Sequence, residues 1–202
     1  MADTNVNAVV ANASERPTLG HSGSSSKLLE SRTGRDKQRY DGDRRLLACA
    51  VILRRKQSDT TLTNTQAARS PSESEASSNQ FKKDEWEVLL ISSSKHPDEW
   101  IIPKGGWESD ESSEEGAIRE ADEEGGVAGK VVRDLGSLDF YSKKNKPCRI
   151  YDFLLKLDQQ FDWWAEQTRR RQWVEFKGAA DLLRPRPELA EMLTRAFAPH
   201  TE

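Results

Sequence analysis

One stretch, from Gly105 to Val127, constrains this chain more than any other, because it encodes a turn, a helix and a helix end in succession. The helix is predicted over 113–124, with Asp110 or Ser112 as its cap and the Gly125-Gly126 pair as its end. Three glutamates recur on it at positions i, i+3 and i+4, so their carboxylates share one helical face. These glutamates are Glu120, Glu123 and Glu124.

Carboxylates this close repel each other, and in sequence only Arg119 lies near enough to offset their charge. An oxygen-only cluster resolves the conflict by binding a hard divalent cation such as Mg²⁺ or Mn²⁺. Such a cation can hold a phosphate chain, polarise its phosphorus and lower the pKa of a bound water. The Gly105-Gly106 pair before the helix allows the backbone to approach the cation or phosphate closely. The alternative interpretation is a solvated acidic helix, because runs of charge are commonly surface features.

The composition predicts one folded domain with unfolded parts. The chain has 202 residues, of which 35% are hydrophobic and 32% charged. We expect a disordered tail at 1–36 and a domain over 37–200 that carries a disordered Ser-rich insertion at 57–83.

The location is predicted from what the chain lacks. Cys49 and Cys148 are too few for a disulfide scaffold, which favours a reducing compartment. No apolar run approaches the ~20 residues that span a membrane, and residues 1–36 lack the apolar core of a secretory signal. A cytoplasmic protein is expected, with a nuclear pool also possible.

The remaining pattern alternates strands and helices. Helices are predicted at 178–183 and 187–198 in addition to the acidic one. Mixed strands around a central helix predict an α/β/α sandwich of the α+β class. The predicted strands are 46–53, 86–92, 100–102, 130–138, 149–157 and 172–176.

Basic residues cluster in several loops outside the acidic helix, although the net charge is −3. Arginine engages phosphate oxygens in a bidentate way, so basic loops around an acidic helix favour a small, highly phosphorylated ligand. The alternative is that these are solubilising loop charges. The clusters are Arg35 to Arg45, Lys95-His96, Lys104, Lys143 to Lys146, Arg149 and Arg169-Arg170-Arg171.

The 105–127 spacing, Gly, five residues, Glu, seven residues, then Arg-Glu-apolar-x-Glu-Glu-x-Gly-apolar, resembles the Nudix hydrolases. Four further phrases resemble one subfamily, the diphosphoinositol polyphosphate phosphohydrolases, also known as diadenosine polyphosphate hydrolases. The resemblance covers roughly 39–55 and 86–187 and is of the fungal type. The phrases are Arg39-Tyr40-Asp41-Gly42-Asp43, Ser92 to Asp98, Pro103 to Glu108 and Arg169 to Trp173.

The resemblance implies a Nudix α/β/α sandwich with a mixed central sheet and a catalytic loop-helix-loop. It implies that Glu120, Glu124 and the Gly105 carbonyl bind Mg²⁺, with Mn²⁺ as a substitute. Glu123 is expected to accept a proton from water, although members of the superfamily differ over which glutamate is the base. The expected substrate contacts are Arg39, Arg44, Arg45, Ser93, Lys95, Lys104, Gly105, Gly106, Lys146, Arg149, Arg169, Arg171 and Arg186.

The expected activity is Mg²⁺-dependent hydrolysis of phosphoanhydride bonds in diphosphoinositol polyphosphates, removing the β-phosphate of the diphosphate, and in diadenosine polyphosphates. One alternative is an mRNA-cap or inorganic polyphosphate hydrolase, in which Trp107 or Trp163 would stack a base. Another is a non-catalytic phosphate-binding module of the same fold. We expect a monomer whose partner is the small anionic substrate, rather than a membrane or a nucleic acid.

Overall fold

The computed structural model describes residues 30–32, 34–56 and 81–199 of the chain. The predicted disorder of residues 1–29, and of residues 57–80 in the insertion, concerns segments outside the described residues. In chain order the elements are β1 (Tyr40–Asp41), β2 (Arg44–Arg55), β3 (Trp86–Ser92), β4 (Trp100–Ile101), β5 (Lys104–Gly106), α1 (Ser113–Gly125), β6 (Val127–Tyr141), β7 (Pro147–Gln160), β8 (Arg171–Glu175), α2 (Phe176–Leu182) and α3 (Pro187–Ala196).

Across the described ranges, eight strands form one mixed sheet with the order β4-β3-β2-β7-β6. Strands β2 and β7 run parallel, from Arg45 opposite Cys148 to Leu53 opposite Lys156. The other pairings are antiparallel, with β1 and β5 added to β2, and β8 added to β3. The sheet is therefore mixed, as the sequence predicted.

Helices cover both faces of the sheet because its central strand is apolar on both sides. Ala48, Ala50 and Ile52 of β2 pack with Ala117 and Ala121 of α1. The intervening residues of β2 pack on the other face against the C-terminal helices, because successive strand side chains point to opposite faces. This second layer includes Cys49, Val51, Leu53, Leu183, Leu189 and Met192. The predicted α/β/α sandwich is confirmed.

The hairpin of β6 and β7 is longer than predicted. Its pairing runs from Val127 opposite Gln160 to Tyr141 opposite Pro147. The added ends mix buried, half-buried and exposed residues, so backbone pairing continues beyond the apolar pattern from which the strands were predicted. In the described ranges, no helix is long and apolar enough to cross a membrane.

The fold brings the glycine pair and the acidic helix together at β2. Gly105 of β5 pairs with Ala48 of β2, the same strand against which α1 packs. The turn after β5 leads directly into α1, so the glycine backbone lies against the helix.

Candidate active site

The acidic helix α1 is fixed at both ends by its own sequence. At its start, Ser112 Oγ accepts a hydrogen bond from the Glu115 backbone at 3.1 Å, and the Glu115 carboxylate accepts one from the Ser112 backbone at 2.8 Å. Of the two predicted caps, Ser112 is therefore the one used. At its end, Gly126 adopts the left-handed conformation with φ of 63°.

The three glutamates are buried, unlike those of a solvated helix. Glu120, Glu123 and Glu124 are 7%, 2% and 6% exposed, respectively. Oε1 of Glu123 has no hydrogen-bond partner among the described residues. A buried carboxylate oxygen without a partner indicates a site that takes up a water or another group.

Arg119 offsets the charge of this face through four partners. It donates to Glu120 Oε1 at 2.8 Å, to Glu123 Oε2 at 3.2 Å and to the Gly106 carbonyl at 2.9 Å. Two further bonds, at 2.8 and 2.9 Å, join it to the Glu111 carboxylate. The guanidinium thus ties the turn before the helix to the acidic face.

Gly105 lies directly against one of these carboxylates. A Cβ atom at this position would be 2.1 Å from Glu120 Oε1, so only glycine fits without displacing the carboxylate. The backbone at Gly105 therefore lies against Glu120, and its predicted approach to a cation or phosphate stays a prediction.

Glu124 is bound from two other directions. Its carboxylate accepts a hydrogen bond from the Lys104 backbone at 2.9 Å and forms an ion pair with Arg169 at 2.6 Å. Lys104 meets the acidic helix through its amide nitrogen, whereas the sequence had singled it out for its ammonium group. Among the predicted phosphate-binding arginines in the described residues, Arg169 is the one that forms an ion pair with a carboxylate of the trio.

Burial makes these carboxylates unusually basic. Removal from water raises the pKa of Glu123 and of Glu124, and burial with the nearby Glu124 charge raises the pKa of Glu120. Arg119 opposes the rise at Glu123, and Lys104 and Arg169 oppose it at Glu124. The site thus concentrates negative charge that further positive charge would stabilise.

The donor set fits a hard divalent cation in its chemistry. Every potential metal ligand is an oxygen atom. These atoms belong to the three carboxylates and to the carbonyl of Gly105, which has no side chain of its own. In the described ranges, however, no three acidic groups converge on one point, and Arg119 lies between Glu120 and Glu123. A cation at this face therefore requires the carboxylates to turn from their arginines.

Comparisons with known proteins decide the family. The model of the NUDIX domain matches residues 79–196, which is more than half of the chain. This chain belongs to the Nudix hydrolase family. Nudix hydrolase 12, mitochondrial, of Arabidopsis thaliana is 37% identical over 167 residues, covering 78% of this chain and 75% of the relative.

Two further comparisons bear on the subfamily and the fold. The mouse diphosphoinositol polyphosphate phosphohydrolase 3-alpha is 38% identical over 113 residues, which is 54% of this chain and 68% of the relative. The structure of a C. elegans Ap4A hydrolase complex matches with a TM-score of 0.50 and 21% identity, covering 74% of this chain and 93% of that one. The latter supports the Nudix fold. Some relatives carry mitochondrial or chloroplastic names, so the cytoplasmic location stays a prediction.

In this structure of the Nudix hydrolase, two predicted phosphate ligands donate hydrogen bonds to backbone carbonyls, and their substrate role stays a prediction. Arg39 stacks on Trp107 and donates to the carbonyls of Glu108 and Ser109. Arg171 stacks on Trp164 and donates to carbonyls at the end of α1, which a cation there stabilises.

Other predicted ligands pair with acidic or polar side chains. Arg149 forms a two-bond pair with Asp139, to which Arg44 also comes within 3.6 Å. Arg186 pairs with Glu188 at 2.7 Å. Arg45 donates to Gln38 at 2.6 Å and lies behind Gly106. Burial lowers the pKa of the Arg45 guanidinium from its ordinary value.

The remaining predicted contacts lie in turns. Ser93 Oγ accepts a hydrogen bond from the His96 backbone, which shapes the loop after β3. Lys95 and Lys146 are exposed in separate loops. The structure thus brings the three glutamates together with Arg119 and Arg169, whereas these two lysines lie in exposed loops.

Three residues at the site had no role in the sequence prediction. Ser31 Oγ lies 3.2 Å from Glu123 Oε2 and 2.7 Å from Glu166 Oε1, and the Arg32 backbone donates to Glu123 at 3.3 Å. The Arg32 guanidinium is 2.6 Å from Glu108. Both Ser31 and Arg32 fall within the predicted disordered tail, so its composition gave no signal. Glu166 lacks any spacing relation to the helix, and its place three residues before Arg169 was the one available hint.

Proposed function

We propose that this protein is a cation-dependent phosphoanhydride hydrolase whose main substrates are diphosphoinositol polyphosphates, with diadenosine polyphosphates as further substrates. The observation that carries the chemistry is the burial of Glu120, Glu123 and Glu124 on one face of α1, with Glu120 against Gly105. Buried carboxylates are stabilised by positive charge. A bound cation also neutralises the negative charge of a phosphate substrate, which allows a water to attack the phosphorus.

The residues divide into two roles. Glu120, Glu124 and the Gly105 carbonyl would hold Mg²⁺ or Mn²⁺, which supplies charge neutralisation and polarisation of the phosphorus when bound. Glu123 would accept a proton from the attacking water through Oε1, the oxygen without a partner among the described residues. The water oxygen then bonds to phosphorus as the bond to the bridging phosphoanhydride oxygen breaks.

Support for the substrate class comes from the basic residues and one relative. The mouse relative that matches 54% of this chain is named for diphosphoinositol polyphosphates. Arg169 lies at the edge of the acidic face, where a phosphate of a cation-bound substrate could replace Glu124 as its partner. The exposed Lys95, together with the basic hairpin tip that includes Lys146, adds positive charge suited to a densely phosphorylated ligand.

The rival activities have weaker support. Trp107, one of the two candidates for stacking a cap base, already packs under Arg39 and edge-on to Tyr151. A binding module without turnover needs no proton acceptor, whereas all three carboxylates are present here.

A substrate panel tests the proposal. Purified protein with Mg²⁺ is incubated with equal concentrations of a diphosphoinositol polyphosphate, a diadenosine polyphosphate, a capped RNA and inorganic polyphosphate, and the products are resolved by phosphorus NMR. Glu123→Gln and Glu124→Gln are expected to lower turnover by at least ~100-fold. Glu114→Gln, an exposed glutamate in the first turn of the same helix, is the matched control.

Full turnover in both site variants would refute the mechanism. Tight calorimetric binding of a substrate without product over hours would favour the binding module. Faster cleavage of capped RNA or polyphosphate than of the diphosphoinositol substrate would overturn the substrate assignment alone.

A further inference from the structure

Glu166 lies in the loop between β7 and β8 and contacts the acidic helix. Its backbone donates to the Glu123 carbonyl at 3.0 Å, which places the loop against the last turn of α1. Its Oε2 accepts a hydrogen bond from Arg169 Nε at 2.6 Å, and the Arg169 backbone donates to the Glu166 carbonyl at 2.9 Å. Glu166 and Arg169 thus form one tight turn beside the helix.

Arg169 shares its charge between two carboxylates. Nε donates to Glu166 Oε2 and Nη2 donates to Glu124 Oε1, both at 2.6 Å, while Nη1 donates to the Ser92 carbonyl at 3.3 Å. The side chains of Arg169 and Glu124 are 9% and 7% exposed, whereas Glu166 is 27% exposed. The planar guanidinium uses different edges for its two partners, so it can lose one and keep the other.

The second carboxylate provides Arg169 with a counter-charge when Glu124 binds a cation. If Arg169 had Glu124 as its sole acidic partner, a cation taking Glu124 would leave a buried guanidinium without a counter-charge, which is strongly unfavourable. With Glu166 in place, Arg169 keeps one carboxylate when Glu124 turns away. Its Nη2 atom is then available to an anion near the cation.

We propose that Glu166 is a positioning residue, which retains Arg169 as Glu124 turns to a cation and so presents Nη2 to a substrate phosphate. This inference rests on the proposed function, because it takes Glu124 as a cation ligand. Glu166 itself touches neither substrate nor reacting atoms in this scheme. It acts through Arg169, and it makes cation binding and phosphate binding support each other.

Cation binding to the substrate-free protein gives the first test. Mn²⁺ is titrated calorimetrically into wild type, Glu166→Gln, Arg169→Gln and the double variant. Glu166→Gln is expected to weaken Mn²⁺ binding by about tenfold, because Arg169 then holds Glu124 more strongly. In the Arg169→Gln background the same change is expected to have no effect, because the residue through which Glu166 acts is gone.

Steady-state kinetics gives the second test. Glu166→Gln is expected to raise KM for the diphosphoinositol substrate at saturating Mg²⁺ by a larger factor than it lowers kcat. Glu175→Gln is the matched control, because Glu175 also pairs with a basic side chain, that of Lys56, but lies at the far end of β8. Thermal unfolding shows that each variant is folded, and Glu166→Ala, with the same expected shifts, serves if the glutamine variant is not.

Several outcomes separate this inference from the proposed function. Wild-type Mn²⁺ affinity in Glu166→Gln, or equal effects of that change with and without Arg169, would overturn the positioning role while wild-type turnover upholds the hydrolase. A wild-type protein that neither binds Mn²⁺ nor cleaves any diphosphate would overturn both.

Discussion

Arg119 and Glu111 form a buried two-bond ion pair that joins the acidic face of α1 to the turn before it. Nε donates to Oε2 at 2.9 Å and Nη2 donates to Oε1 at 2.8 Å, with both side chains at most 7% exposed. Glu111→Gln is expected to lower the free energy of unfolding by about 3 kcal/mol, because a buried guanidinium loses its main counter-charge. Equilibrium urea denaturation measures this loss.

The control for that prediction is on the same helix. Glu114 is exposed, so Glu114→Gln is expected to change the free energy of unfolding by less than about 0.5 kcal/mol. Equal stability of the two variants would show that the Arg119–Glu111 pair contributes little beyond what water provides.

Gly105→Ala tests the close approach of backbone and carboxylate. The new Cβ would lie 2.1 Å from Glu120 Oε1, so the carboxylate must turn away from its present position. We expect turnover to fall by at least ~10-fold, since a displacement of about 1 Å at a site costs on the order of 100-fold in rate. Phosphorus NMR of the products, with thermal unfolding to confirm the fold, would detect it. Wild-type turnover would mean that the carboxylate moves without consequence.

The sequence predicted the parts of this molecule that depend on local patterns. Ser112 and Gly126 bound a helix within one residue of the predicted 113–124, because capping and left-handed glycine are local effects. The apolar run over 46–53 likewise predicted a strand, and it forms most of β2. These features need no knowledge of distant residues.

Contacts between distant segments were not predictable in the same way. Arg171 and Arg169 are two residues apart in one basic run, yet one holds helix carbonyls and the other a glutamate. Alternation in a strand would place residues two apart on the same face, but Arg169 lies in the loop before β8 and Arg171 begins the strand. Only the packed loop decides what each side chain contacts. Ser31 reaches Glu123 across 92 residues, which no spacing rule encodes.

The two arginines are expected to separate in experiment. Arg171→Gln removes three hydrogen bonds to carbonyls near the end of α1, so we expect a loss of about 1–3 kcal/mol in the free energy of unfolding with little change in KM. Arg169→Gln is expected to raise KM instead. Arg170→Gln, an exposed neighbour, is the control for stability. A large rise in KM for Arg171→Gln with unchanged stability would support the substrate role that the sequence predicted for Arg171.

Arg32 anchors the segment that lies over Glu123, and its guanidinium contacts Glu108 and Asp110. Arg32→Gln removes these part-exposed ion pairs, which contribute about 0–1 kcal/mol, so it is expected to loosen that segment. The loosened segment would compete less with a cation at Glu123. The Mg²⁺ concentration for half-maximal turnover should therefore fall by about two- to fivefold, which is the change in binding constant that a loss of this energy produces. Lys37→Gln, which also removes a pair with Asp110, is the control. Identical Mg²⁺ dependence in both variants would show that the segment does not compete with the cation.

Asp152 predicts a pH dependence of stability that is separate from the site. It is fully buried on β7 beside Cys49, and burial raises its pKa to about 8. Its ordinary value is about 3.9, so between these pH values the folded state binds a proton that the unfolded state has lost. The stability associated with this group is thus fully present below pH ~4 and is lost as the pH rises through 8, by up to about 1.4 kcal/mol per pH unit.

Asp152→Asn should flatten the fall in unfolding free energy between pH 5 and 8, whereas Asp158→Asn, at an exposed position of the same strand, should keep the wild-type slope. Equal slopes in all three proteins, measured by urea denaturation at each pH, would show that Asp152 ionises in the folded state as readily as in the unfolded chain.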